Sequence, residues 1–105
     1  MKKIITQPLE GINVLDLTRV LAGPTSTQIL GDLGANVIKV ERPITGDDSR
    51  NLGPPYLDEN SKTPMESAYF LSVNRNKQSV EIDLTKKEGQ DLAKKLVKKC
   101  HVLVE

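Results

Sequence analysis

The sequence has no tryptophan, a single cysteine and only three aromatic residues, Tyr56, Tyr69 and Phe70. One thiol, Cys100, excludes an internal disulfide and suits a reducing compartment. With so few rings, any core must be aliphatic, assembled from Val, Leu and Ile. Neither sign of charge is in excess: 15 basic against 14 acidic side chains leave a formal net charge of +1. That removes the long-range field that would draw in nucleic acid or an anionic membrane, so an anion site must be local. No apolar run approaches the roughly 18 residues needed to span a bilayer. The opening residues, Met1 to Pro8, are too short and too weakly apolar for a secretory signal, and they lack the Arg- and Ser-rich character of a transit peptide. The expected compartment is the cytoplasm, or the mitochondrion if a eukaryotic transit peptide precedes these residues.

What is present fits one small α/β unit: 105 residues, 37% apolar and 28% charged. Ile12 to Leu17 is a short, mostly apolar run that predicts a buried strand. Pro24 suits a first helical turn, and a helix is expected from Thr25 to Leu33 with Ile29, Leu30 and Leu33 on its apolar face and Gly34 as its stop. Asn36 to Glu41 predicts a second strand, closed by Arg42-Pro43. Strand, helix and strand in thirty residues make a βαβ unit, which implies parallel pairing. Ile44 to Pro64, rich in Gly, Pro, Asp and Asn, is read as a long irregular segment of functional or partner-bound type. A short helix or turn over Glu66 to Val73 comes next, then a strand at Ser79 to Leu84. An amphipathic helix is expected over Lys87 to Lys99, with Leu92, Ala93, Leu96, Val97 and Cys100 as its stripe. His101 to Glu105 opens another strand. A domain seldom ends inside a core strand, so the expectation is a partial Rossmann-like parallel sheet belonging to a larger fold. The alternative is a complete four-stranded mini-domain.

Ligands of open parallel sheets bind beyond the carboxyl ends of the strands. Three segments should reach that edge. The first is Arg19 to Pro24, where Ala22 and Gly23 let a ligand approach the backbone, although a tight turn uses such residues equally well. The second is Glu41-Arg42-Pro43, where Arg42 can either grip a phosphate or pair with Asp47 or Asp48. The third runs from Asn74 to Thr85, and Arg75 and Lys77 within it are read as a solvated basic turn. His101 has no partner at metal-ligand spacing, Cys100 reads as a small core residue, and Asp47-Asp48 read as turn formers. No nucleophile elbow, Walker A sequence or metalloprotease helix is present. A rival reading is a dinucleotide fold, since Glu41 lies eighteen residues after Gly23, near the spacing of a ribose-binding acid, with Arg42 beside it for a 2′-phosphate. The glycine fingerprint for the pyrophosphate is missing, however.

Taken as longer blocks, Pro8 to Pro24, Gly31 to Pro43 with Gly46-Asp47-Asp48, and Tyr69 to Val80 resemble the class III CoA-transferases, the CaiB–BaiF family, in order and over nearly the whole chain. The irregular segment and the stretch Tyr69-Phe70-Leu71-Ser72-Val73-Asn74-Arg75-Asn76-Lys77 are most similar to the succinyl-CoA–glutarate CoA-transferase group. The resemblance implies an enzyme that moves CoA between an acyl-CoA and a carboxylic acid through an anhydride on an Asp carboxylate. It places that nucleophile beyond Glu105, so no catalytic residue and no metal ligand is expected here, and Asp16, Asp32 and Asp83 are read as structural. It also implies residues 1–7 as a tail and 8–105 as the N-terminal part of the family domain, from an intertwined homodimer. Such a piece alone would be inactive, with weak CoA affinity at best.

CoA contacts carry over by position to Val20, Leu21 and Ala22 near the active site, to Arg42 at the nucleotide end, and to Ile82, Asp83, Leu84 and Thr85 around the adenine. Leu21 replaces a polar residue of the formyl-CoA branch, which argues against formyl or oxalyl substrates. Thr85 stands where that branch has a Lys. Beside the enzyme reading stand two others, a non-catalytic nucleotide-binding module and a domain with no function of its own.

Overall fold

The computed structural model describes residues 4, 6–60 and 65–105. The tail expected over 1–7 is thus described only in part, and the end of the irregular segment, 61–64, lies outside the described residues. The elements are β1 (Asn13–Asp16), α1 (Ala22–Asp32), β2 (Asn36–Glu41), a 3₁₀ turn (Asp48–Asn51), α2 (Ala68–Ser72), β3 (Lys77–Glu81), α3 (Lys87–Val97) and β4 (Val102–Val104). The four strands form one sheet in the order β3-β2-β1-β4, and every pairing is parallel. This is the α/β, Rossmann-like sheet that the sequence predicts.

Alternation along the strands sends successive side chains to opposite faces, and here the two faces differ in kind. One face is apolar along its length: Leu15, Val40 and Ile82 are buried, with Ile38, Val80, Leu96, Val97 and Cys100 packed against them. Helix α3 covers this face with the inner part of its predicted stripe, while Leu92 stays outside at 52% exposure. The opposite face, towards α1, is apolar only in its first half, where Val14, Ala35 and Val37 cluster with Leu9, Ile12 and Leu30. Further along the same strands, Asp16, Lys39 and Glu41 are buried. The aliphatic core therefore shares the sheet with a buried charged layer.

That charged layer reorients α1. The helix begins at Ala22 rather than Thr25, with Pro24 in its first turn, and it buries Pro24, Thr27, Gln28 and Gly31. Of the expected apolar face, Leu30 packs against the core while the other two turn outward: Ile29 is 54% and Leu33 41% exposed. The reason is polar. Thr27 Oγ1 donates to Asp16 at 2.6 Å, Gln28 Nε2 donates to the Ser72 carbonyl at 3.1 Å, and Gln28 Oε1 accepts from the Arg75 N–H at 3.0 Å. A Cβ at Gly31 would lie 3.0 Å from the Asn76 carbonyl oxygen, so that residue has to be small.

Strand β3 also differs, running over Lys77–Glu81 instead of Ser79 to Leu84. Lys77 pairs with Val37 in the ladder, and the last bond, Ile82 N–H to the Glu41 carbonyl at 3.0 Å, lets the chain turn off the sheet. Residues 82–85 thereby become the loop into α3. This loop meets the helix where only glycine fits, since a Cβ on Gly89 would fall 1.8 Å from the Asp83 carbonyl oxygen. Alanine normally favours a helix over glycine by about 1 kcal/mol. At this position the sign reverses: Gly89→Ala should destabilise the chain by about 1–3 kcal/mol, the usual cost of overpacking. Urea unfolding would show a lowered midpoint. An unchanged or raised midpoint would mean that α3 does not dock on the 82–85 loop as described.

Candidate functional site

The α1 side of the sheet carries three ion pairs taken almost entirely out of water. Lys39 Nζ meets Asp47 at 2.8 Å, with both side chains 1% exposed. Lys77 Nζ meets Asp16 at 3.3 Å, and Arg50 meets Glu41 at 2.7 Å. Such pairs are tolerable only when the remaining donors and acceptors are satisfied, and here they are. Lys39 also donates to the Thr18 carbonyl at 2.9 Å, and Lys77 donates to the Pro24 carbonyl and to Asn74 Oδ1, both at 2.9 Å. Asp16 accepts from the Thr18 N–H at 2.8 Å and from the Thr27 hydroxyl. Glu41 accepts both Arg50 Nε at 2.8 Å and Nη2, the Asp47 N–H at 2.9 Å, and the Ser79 hydroxyl. The Arg50 guanidinium lies 3.8 Å from the Phe70 ring centroid, which ties α2 into the layer.

Burial by itself would push the Glu41 carboxyl up. The Arg50 guanidinium, the Ser79 hydroxyl and the Asp47 N–H together outweigh it and hold Glu41 below the ordinary carboxylate range. Asp47 behaves likewise: burial raises it, while Lys39 and the Ser49 N–H and hydroxyl bring it lower. Burial pulls the Lys77 ammonium below the usual lysine value, against the attraction of Asp16.

Above this layer a cavity of about 710 Å³ opens at the strand tips. Its walls come from the ends of all four strands: Leu17, Thr18 and Arg19 after β1, Val40 to Arg42 at β2, Ile82 to Thr85 after β3, and Glu105 after β4. The structure thus brings together five of the sequence-predicted site residues, Arg42, Ile82, Asp83, Leu84 and Thr85. Val20, Leu21 and Ala22 lie outside the lining, on the turn from the Thr18–Arg19 wall into α1. Gly23 belongs to the lining, and a Cβ there would lie 2.3 Å from Thr18 Cβ.

Arg42 pairs with Asp48 and donates to the Gly46 carbonyl at 3.1 Å, yet its side chain remains 47% exposed. Asp83 Oδ1 accepts the Thr85 N–H at 3.0 Å and its hydroxyl at 2.5 Å. These bonds, the hydroxyl first, lower the Asp83 carboxyl from its usual value and fix the loop before α3.

Several expectations change at this site. The segment around Arg75 and Lys77 is a solvated basic turn only in part: Arg75 stays 63% exposed in a surface pair with Asp32 at 2.7 Å, whereas Lys77 is buried in the layer. Asp47 caps the 3₁₀ turn by accepting the Ser49 N–H, as a turn former should, but it is also a buried ion-pair partner. Glu41 cannot serve a ribose, because its carboxylate is buried and already occupied by Arg50, Ser79 and Asp47. His101 is exposed and accepts the Asn13 N–H at Nδ1, 2.9 Å away. Among the described residues no group of three or more His, Cys, Asp and Glu could hold a metal, and no helix is long and apolar enough to cross a membrane. Lys39 and Arg50, which sequence reasoning missed, had one signal each. Lys39 sits between apolar residues in a strand flanked by others, and Arg50 follows a Gly-Asp-Asp turn at the tip of β2.

Comparison with known proteins gives a consistent result. The model of "CoA-transferase family III" matches residues 9–105. The chain is 54% identical over 99 residues to a mouse protein named succinyl-CoA:glutarate CoA-transferase, covering 94% of this chain and 21% of that protein. It is 43% identical over 101 residues to a formyl-CoA:oxalate CoA-transferase of Bradyrhizobium sp. (strain ORS 278), covering 96% of this chain and 22% of that one. A crystal structure of a CaiB/BaiF family protein from Brucella suis superposes with a TM-score of 0.84 at 45% identity, over 92% of this chain and 25% of that one. The chain therefore spans about a fifth of the length of the curated relatives it matches.

The lowered Glu41 and Asp47 carboxyls set an acid limit on the fold. A carboxylate whose folded value lies below its unfolded value, near 4, contributes stability that is complete above that pH and lost as the pH falls towards the folded value. Acid unfolding followed by circular dichroism should therefore begin below about pH 4. At neutral pH, Arg50→Met should cost about 3–5 kcal/mol by stranding Glu41, and much of this should return in Glu41→Gln/Arg50→Met. Equal stability of the two variants would show that Glu41 does not depend on Arg50.

Proposed function

The chain belongs to CoA-transferase family III, and on that premise we propose that it forms the N-terminal, coenzyme-side part of an enzyme that moves CoA between an acyl-CoA and a carboxylic acid. The observation that carries this reading is the cavity at the strand tips, where Arg42 faces the same space as residues 82–85. The nucleotide end of CoA is a purine bearing several phosphates. Leu17, Val40, Ile82 and Leu84 offer the purine an apolar wall, and the half-exposed guanidinium of Arg42 offers phosphate oxygens a forked donor. Residues 20–22, on the turn beside the cavity, take the end of the coenzyme nearer the acyl group.

The donor is succinyl-CoA and the acceptor a glutarate-like dicarboxylate, in keeping with the names of the 54%-identical relatives. In the proposed reaction an Asp carboxylate attacks the thioester carbonyl and releases the CoA thiolate, leaving an acyl–aspartyl anhydride. The thiolate then attacks the aspartyl carbonyl, expelling the first acid and giving an enzyme thioester. The incoming acid attacks that thioester to form a second anhydride, and CoA returns to the new acyl group. By resemblance to the family, the nucleophilic Asp is assigned to a part of the enzyme beyond Glu105, and the enzyme acts as an intertwined homodimer. The 105-residue chain alone is inactive.

Calorimetric and thermal-shift titrations of the chain test the coenzyme site. CoA should bind and raise the melting temperature, and Arg42→Ala should weaken binding by about tenfold, the value of one charge-assisted contact. NADPH should do neither. Protection by NADPH with none by CoA would replace this reading with a dinucleotide-binding module.

A further inference from the structure

Val20 adopts a φ of +72°, in the left-handed region where a β-branched residue is strained. Such a conformation persists only where its surroundings impose it. The Val20 N–H donates to both carboxylate oxygens of Asp47, at 3.2 and 3.3 Å, across a sequence separation of 27 residues. That carboxylate cannot swing away. It is held by Lys39 Nζ at 2.8 Å and by the Ser49 N–H and hydroxyl at 2.9 and 2.8 Å. Lys39 in turn donates to the Thr18 carbonyl at 2.9 Å, two residues before Val20. The Lys39–Asp47 pair therefore grips the turn after β1 at two points, one carbonyl and one N–H. Gly23, pressed against Thr18, closes the turn onto α1.

We propose that Asp47 is a positioning residue, whose carboxylate holds Val20 in its left-handed conformation and so presets the turn beside the cavity for the coenzyme. Without that acceptor Val20 would relax to an extended conformation, carrying Leu21 and Ala22 with it. Preorganisation of this kind raises affinity by removing the cost of ordering the loop at binding. The proposal rests on the CoA reading of the site for its effect on binding, but the grip itself is observable without any ligand.

The test compares the chain with Asp47→Ala, which removes both acceptor oxygens, and Asp47→Ala/Val20→Gly. CoA affinity should fall about tenfold in the single variant, the population cost of holding valine unsupported at positive φ. Most of it should return in the double variant, because glycine occupies that region freely. A merely structural role for Asp47 would give no such rescue. In parallel, hydrogen exchange of the Val20 amide should quicken about tenfold or more in Asp47→Ala, while the β1 and β2 amides keep their protection. If Asp47→Ala fails to fold, Lys39→Met/Asp47→Leu removes both charges together, and the comparison with and without Val20→Gly is made there. A glycine variant that binds no more tightly than its parent, or a Val20 amide indifferent to the carboxylate, overturns the proposal. If the unsubstituted chain binds no CoA, the coenzyme reading fails, and the exchange rates alone decide whether Asp47 holds Val20.

Discussion

The structure depends on the burial of Lys39 beside Asp47. A lysine ammonium withdrawn from water needs a counter-charge and a full set of acceptors, and meeting that need fixes much else. Asp47 must come back over the tip of β2, so the chain after Arg42 folds into a tight return and a 3₁₀ turn. Thr18 must present its carbonyl, which sets the exit from β1. The same demand repeats in Asp16–Lys77 and Glu41–Arg50, and the three pairs share one face of the sheet. Helix α1 is turned to serve this layer with Thr27 and the 72–75 segment with Gln28, leaving Ile29 and Leu33 in water.

A rigid charged floor of this kind suits a binding edge. Its groups neutralise one another, so it attracts no ligand by net charge, yet it locks the loops that rise from the strand ends. Three of those loops frame the cavity: the turn after β1, the return after β2, and residues 82–85 ahead of α3. Arg42 stands on the rim, partly exposed, held by a surface carboxylate and by the Gly46 carbonyl. A cation in that setting can exchange partners cheaply, since exposed pairs are worth little. The arrangement separates two duties: buried ions hold shape, and exposed cations at the cavity, Arg42 and Arg19, are left to meet an anion.

Much of the fold was legible. The βαβ pattern, the limits of β2 and the parallel sheet follow from apolar runs of the right length between helix signals. Arg42 and residues 82–85 were placed together through their resemblance to a known family, and the cavity joins them. Periodicity misled where polar contacts outweighed apolar area. Ile29 and Leu33 looked like the inner face of α1 because hydrophobic spacing records only what could be buried. Likewise Lys77 looked solvated because a lysine before a strand usually is, and its partner Asp16 lies sixty-one residues away.

The sequence by itself determined the class of fold, the order of its elements and the family, because these are written in local patterns and contiguous blocks. Tertiary structure decided which charges are buried, which face of α1 turns inward, and that Asp47 reaches Val20. Those outcomes depend on pairings between residues far apart in the chain, and the energy of an ion pair or a strained turn exists only once both partners are in place.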